Sequence, residues 1–138
     1  MNFYRLPLTF SPAAADTLIR YFNAGGKLPD MILTGDLGYE GATILREMMD
    51  VCGYDISGVH TDCGLMIFDR EGQDKHAGGS GCGCSASVLG SVILNNMKAG
   101  KLCDVVFIGT GALMNPMSIQ QGQNIAGIGH LVRIQAGV

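Results

Sequence analysis

Apolar and polar positions alternate along the chain with periods that name its elements. Ala14, Leu18, Tyr21 and Phe22 share one helical face, with Ser11 placed as N-cap and Pro12 at the first helical position. Asn23-Ala24-Gly25-Gly26 stops that helix. A short apolar strand follows at Met31-Ile32-Leu33 and ends in Thr34-Gly35-Asp36-Leu37-Gly38. Leu45, Met48, Met49 and Cys52 fall at i, i+3, i+4 and i+7 and predict a second helix over 39–52, closed by Gly53. Residues 54–61 read as a loop, and Leu65-Met66-Ile67-Phe68 as a strand. A third helix follows Cys84, with Leu89, Val92, Ile93 and Met97 on its buried face and Gly100 at its end. Val105 to Ile108 and Leu131 to Ile134 are the last two strands. Strands alternating with helices predict an α/β sheet. The first strand–helix step puts Asp36 at a strand's carboxyl end, where such sheets hold ligands.

Composition narrows the class. A chain of 138 residues makes one domain of ordinary size. Hydrophobic residues are 47% and charged residues 15%, which suits a packed core and excludes intrinsic disorder. The net charge of −3 gives no basic footprint for nucleic acid. No apolar run approaches the ~20 residues of a membrane span, and no signal peptide is visible. Five cysteines, an odd number, read as reduced thiols of a cytosolic compartment, Cys52 on an apolar helix face and Cys103 leading into a strand.

Glycine is enriched, at 21 residues, and its densest run carries the candidate chemistry. Gly78-Gly79-Ser80-Gly81-Cys82-Gly83 feeds a helix N-terminus, whose N–H groups favour an anion such as a phosphate or carboxylate. The competing reading is that a helix passes close to the sheet and only glycine fits. No Lys-Ser or Lys-Thr follows, so the run is no P-loop. Cys82 and Cys84 sit where a thiolate is stabilised, with His76 as the nearby base in sequence, or are small packing residues. A zinc site would recruit Cys82, Cys84 and His76 with Cys63 as a distant fourth ligand. His60 and His130 read as structural.

Several strings resemble the stage V sporulation protein AD family. They are Ser11 to Thr17, Thr34 to Gly38, Asp62 to Ile67, the run HAGGSGCGCSA from His76 to Ala86, Gly109 to Leu113, and Gln120-Gln121-Gly122. The resemblance spans about residues 10 to 134. It implies a thiolase-like, layered α/β/α fold, of which this chain is similar to the C-terminal half of a duplicated pair. Residues 1–9 are then a leader and 10–138 the thiolase-like domain. It further implies a non-catalytic module that binds dipicolinate and serves its uptake into the developing spore. The condensing enzymes' nucleophile lies in the absent N-terminal half, and Thr34-Gly35-Asp36 stands where they place a histidine. The implied binding residues are Asp36, His76, Gly78, Gly79, Gly81, Cys82, Gly83 and Cys84, with no catalytic residue, no bound metal and no cofactor. A calcium ion or a water would bridge Asp36 to a ligand carboxylate. The implied partners are dipicolinate, the missing half, other stage V sporulation proteins and a second copy of the chain, in the cytoplasm or peripheral at the spore inner membrane. Two other readings stay open: a thiol-dependent acyltransferase acting through Cys82 or Cys84, and a dimerisation half without a ligand.

Overall fold

A computed structural model describes residues 6–74, 81–111, 117, 120–122 and 127–137. The chain runs α1 (Leu6–Asn23), β1 (Met31–Thr34), α2 (Gly38–Val51), β2 (His60–Asp62), α3 (Cys63–Ile67), α4 (Cys84–Val88), a π-helical turn (Leu89–Ile93), α5 (Leu94–Lys98), β3 (Asp104–Gly109) and β4 (His130–Gln135). The four strands lie in the order β2-β1-β3-β4. β1 is parallel to both β2 and β3, and β4 is antiparallel to β3. The fold is therefore mixed α/β, as the alternation predicts.

Consecutive residues of a strand point to opposite faces, and the two faces hold separate cores. Ile32, Val106 and Ile108 pack with Ala14, Leu18, Leu45, Met49 and Ile56 under α1 and α2. Leu33 and Val105 pack with Cys63, Cys84, Val88, Ile93 and Met97 under α4 and α5. Asp30 sets the register between β1 and β3. Its carboxylate accepts from Cys103 N at 2.9 Å and Asp104 N at 3.0 Å, while its own N–H donates to Asp104 O at 3.0 Å.

Four expectations need correction. α1 begins at Leu6, so Ser11 is no N-cap and Pro12 lies inside the helix. Ser11 instead donates its buried hydroxyl to Gly41 O at 2.8 Å, tying α1 to α2. The second correction concerns residues 60–68. The strand is His60-Thr61-Asp62, and Leu65 to Ile67 are helical. His60 and Asp62 are buried here because Thr34, Arg46 and the backbone N–H groups of Leu37, Gly38 and Gly64 satisfy them, which an apolar pattern cannot signal. Third, Val92 is 37% exposed. The buried positions of this helix are Cys84, Val88, Ile93 and Met97. Their spacing of four, five and four residues follows from the π turn, which takes more residues per turn and rotates Val92 off the sheet. Fourth, Cys52 caps the end of α2 and is exposed.

Candidate functional site at the strand ends

β1 is flanked by β2 on one side and β3 on the other, and the chain leaves it first toward β2 and later toward β3. The crevice outside the carboxyl ends of β1 and β3 is thus the topological switch point, the usual ligand position of an open α/β sheet. Thr34-Gly35-Asp36 and Gly109-Thr110 meet there. The Asp36 N–H donates to Thr110 Oγ1 at 2.8 Å, and Gly35 N donates to Ile108 O at 3.0 Å. The Gly35 backbone runs so close to its neighbours that a Cβ there would lie 2.9 Å from both Ser85 Oγ and Thr110 Oγ1.

Beneath this turn lies a fully buried carboxylate. Asp62 Oδ1 accepts from Thr34 Oγ1 at 2.6 Å and Leu37 N at 2.9 Å. Oδ2 accepts from Gly38 N and Gly64 N, both at 3.1 Å. One side chain thereby caps α3 and fixes the start of α2. Burial pushes the Asp62 carboxyl above its ordinary range, these hydrogen bonds oppose that rise, and the neighbouring Asp36 charge adds to it. The chain of contacts continues outward. Thr34 Oγ1 lies 3.0 Å from His60 Nε2, and Arg46 Nε donates to His60 Nδ1 at 3.0 Å. With Nδ1 accepting, Nε2 carries the ring proton and donates to Thr34, whose hydroxyl donates to Asp62. Burial, aided by the Arg46 charge, lowers the His60 pKa to about 3, so the ring is neutral at physiological pH. His60 is structural, as its sequence position suggests.

Asp36 sits above this network. Its Oδ2 accepts from Gly81 N at 3.2 Å, joining the β1 turn to the segment that opens α4. Its Oδ1 faces Gly64, where an added Cβ would collide with it. Cys84 N donates to Gly81 O at 3.2 Å, so Gly81 stands at the threshold of the helix that runs to Lys98. Cys82 and Gly83 are exposed, whereas Cys84 is 2% exposed and belongs to the core under Leu33. Cys63 is buried in the same core. Burial first, then Cys84, Asp62 and Asp36, push its thiol up to about 12. Arg70 lies over the Tyr39 ring at 3.6 Å at the start of α2.

Asp36 and Gly81 are therefore brought together, Cys82 and Gly83 follow on the exposed side, and Cys84 turns into the core. His76, Gly78 and Gly79 lie outside the described residues, as does the loop of Asn115 and Pro116. Among the described residues, close helix–sheet approach does not account for Gly81 or Gly83, since a Cβ at either meets none of them within 4 Å. The sequence reading missed Thr34, Arg46, Asp62 and Thr110, and it missed Gly35 and Gly64 as the tightly packed glycines. A strand-end Thr and an Asp two residues before a Gly were the available signals. Among the described residues, no group of three His, Cys, Asp or Glu side chains could hold a metal. No helix among them is long and apolar enough to cross a membrane.

Sequence comparison defines the class to which this α/β sheet and its strand-end carboxylates belong. The family model for stage V sporulation protein AD matches residues 4–135, and the chain belongs to that family. A curated relative, stage V sporulation protein AD of Bacillus subtilis (strain 168), is 43% identical over 123 residues, covering 87% of this chain. The chain spans 36% of that relative's length. Membership supports a role related to sporulation.

Proposed function

We propose that the chain is a non-catalytic, thiolase-like binding module that takes a carboxylate of dipicolinate at the end of β1 and serves dipicolinate uptake into the spore. One observation carries this reading. A backbone N–H at the threshold of the Cys84–Lys98 helix, that of Gly81, already donates to a carboxylate, that of Asp36. Charge-assisted hydrogen bonds of this kind contribute roughly 1.5–3 kcal/mol each. We assign the second carboxylate to Arg70, which lies over the Tyr39 ring three residues beyond Asp36.

The thiols support binding over acyl transfer. A nucleophilic cysteine needs a lowered pKa and access. Cys63 has neither, and Cys84 lacks access. Cys82 alone is exposed at the helix threshold, which is what the acyltransferase reading has in its favour. Full affinity is assigned to the assembly with a sister half, because the chain spans 36% of its relative and a half-built pocket loses preorganisation. Self-association, contact with other stage V sporulation proteins and peripheral attachment at the spore inner membrane complete the proposal.

Isothermal titration of dipicolinate into this chain, alone and with the remaining part of a full-length family member, tests the reading. Weak binding that strengthens on assembly is expected. No binding in either preparation at millimolar ligand overturns it.

A further inference from the structure

The N–H that an incoming carboxylate would use is not empty. Asp36 Oδ2 lies 3.2 Å from Gly81 N, across 45 residues of sequence. The backbone under Asp36 has little room to retreat. Its N–H is held by Thr110 Oγ1 at 2.8 Å, and a Cβ at Gly35 would press on Ser85 and Thr110. Gly64 walls the other carboxylate oxygen, and behind it stands the charge of Asp62 with all four of its hydrogen bonds made within the chain. An anion arriving at Gly81 therefore meets a carboxylate that must swing about its own side-chain torsions rather than withdraw with its turn.

We infer that Asp36 is a built-in competitor for carboxylate ligands: it occupies the Gly81 N–H in the unliganded chain, and ligand entry displaces it. This rests on the dipicolinate reading above. The consequence is an occupancy threshold. Ligand binds only where its concentration offsets the loss of the Asp36–Gly81 hydrogen bond and the repulsion between like charges. Removing the competitor should then raise affinity, the reverse of what loss of a ligand-contacting residue does.

Calorimetric titration of sodium dipicolinate into the full chain, as wild type, Asp36→Ala and Asp36→Asn, decides it. Asp36→Ala should bind at least 10-fold more tightly. Asp36→Asn should fall between, because its carboxamide oxygen still accepts from Gly81 without the charge. The Gly81 amide resonance should move on deleting the carboxylate and move back toward its original position as dipicolinate is added. Asp36→Asn preserves shape and decides the matter if Asp36→Ala does not fold. Unchanged or weaker binding in a folded variant overturns the inference and leaves the dipicolinate reading standing. Absence of binding in all three proteins overturns both.

Discussion

Two glycine-bearing turns meet at Asp36, and they differ in what the missing side chain provides. At the end of β1 the requirement is space. A Cβ at Gly35 would sit 2.9 Å from two hydroxyl oxygens, and one at Gly64 would run into Asp36. At the threshold of α4 the requirement is backbone shape. Gly81 has φ of +85° and Gly83 has φ of −86°, and a Cβ at either meets none of the described residues within 4 Å. The first turn is a solved packing problem, closed over a carboxylate with every oxygen occupied. Among the described residues, the second is joined to the first through the Gly81 N–Asp36 hydrogen bond. Close packing defines the first turn, and a positive-φ backbone defines the second.

The largest break in that contrast should come from Asp62. In Asp62→Asn the carboxamide keeps the shape but turns an N–H₂ toward N–H donors at Gly38 or Gly64. Buried donors left without acceptors cost about 1–3 kcal/mol each, so a loss of about 4 kcal/mol is expected. Urea unfolding followed by circular dichroism measures it. A loss under about 1 kcal/mol would mean that water reaches this pocket and the turn is not closed.

Gly64→Ala should come next, at about 2 kcal/mol, the usual range for overpacking. It should also release Gly81, because the displaced Asp36 carboxylate is the one Gly81 holds. Faster hydrogen exchange at the Gly81 amide is the second readout.

Acid tests the same turn from below. His60 has a folded pKa of about 3 against about 6.5 in an unfolded chain. Its stability contribution is complete above pH 6.5. Below that, the unfolded chain takes a proton that the folded chain refuses, and stability falls toward pH 3. The slope between pH 6 and pH 5 should be about 1.4 kcal/mol per pH unit. Asp62, raised by burial, acts with the opposite sign: its contribution is present at low pH and lost as pH rises past the ordinary carboxylate range. His60→Gln should flatten the slope. An unchanged slope in that variant would place the titration elsewhere.

What was legible in the sequence divides along the same line. α2, β1, β3 and β4 follow from apolar periodicity, and Asp36 from its place at a strand end. β2 did not, because His60 and Asp62 are buried through hydrogen bonds to Thr34, Arg46 and the turn backbone and carry no apolar signature. Val92 was misplaced because the π turn breaks the 3.6-residue period at Leu89–Ile93 without a proline or other mark in the sequence. The glycine run announced a ligand threshold by composition. Its first described residue, Gly81, donates to Asp36, yet the glycines required by close contact are the inconspicuous Gly35 and Gly64.

The smallest effects should come from the open turn, and they sharpen the contrast by their sign. Gly81→Ala asks a side chain to sit at φ of +85°, which costs roughly 1 kcal/mol with no clash added. Gly83→Ala asks for nothing. Its backbone is already helical, its Cβ would meet none of the described residues within 4 Å, and it precedes Cys84 at the start of a helix. Alanine restricts the unfolded chain more than glycine does, so this substitution should stabilise by about 0.4–1 kcal/mol. If dipicolinate affinity is also unchanged in Gly83→Ala, the ligand needs only the Gly81 N–H from this pair. If stability rises while affinity drops, the ligand approaches the backbone at Gly83 as well, and the glycine there is kept for binding at the expense of stability. A loss of stability would instead mean that an element not touching Gly83 in this fold closes over it, and the turn would not be open.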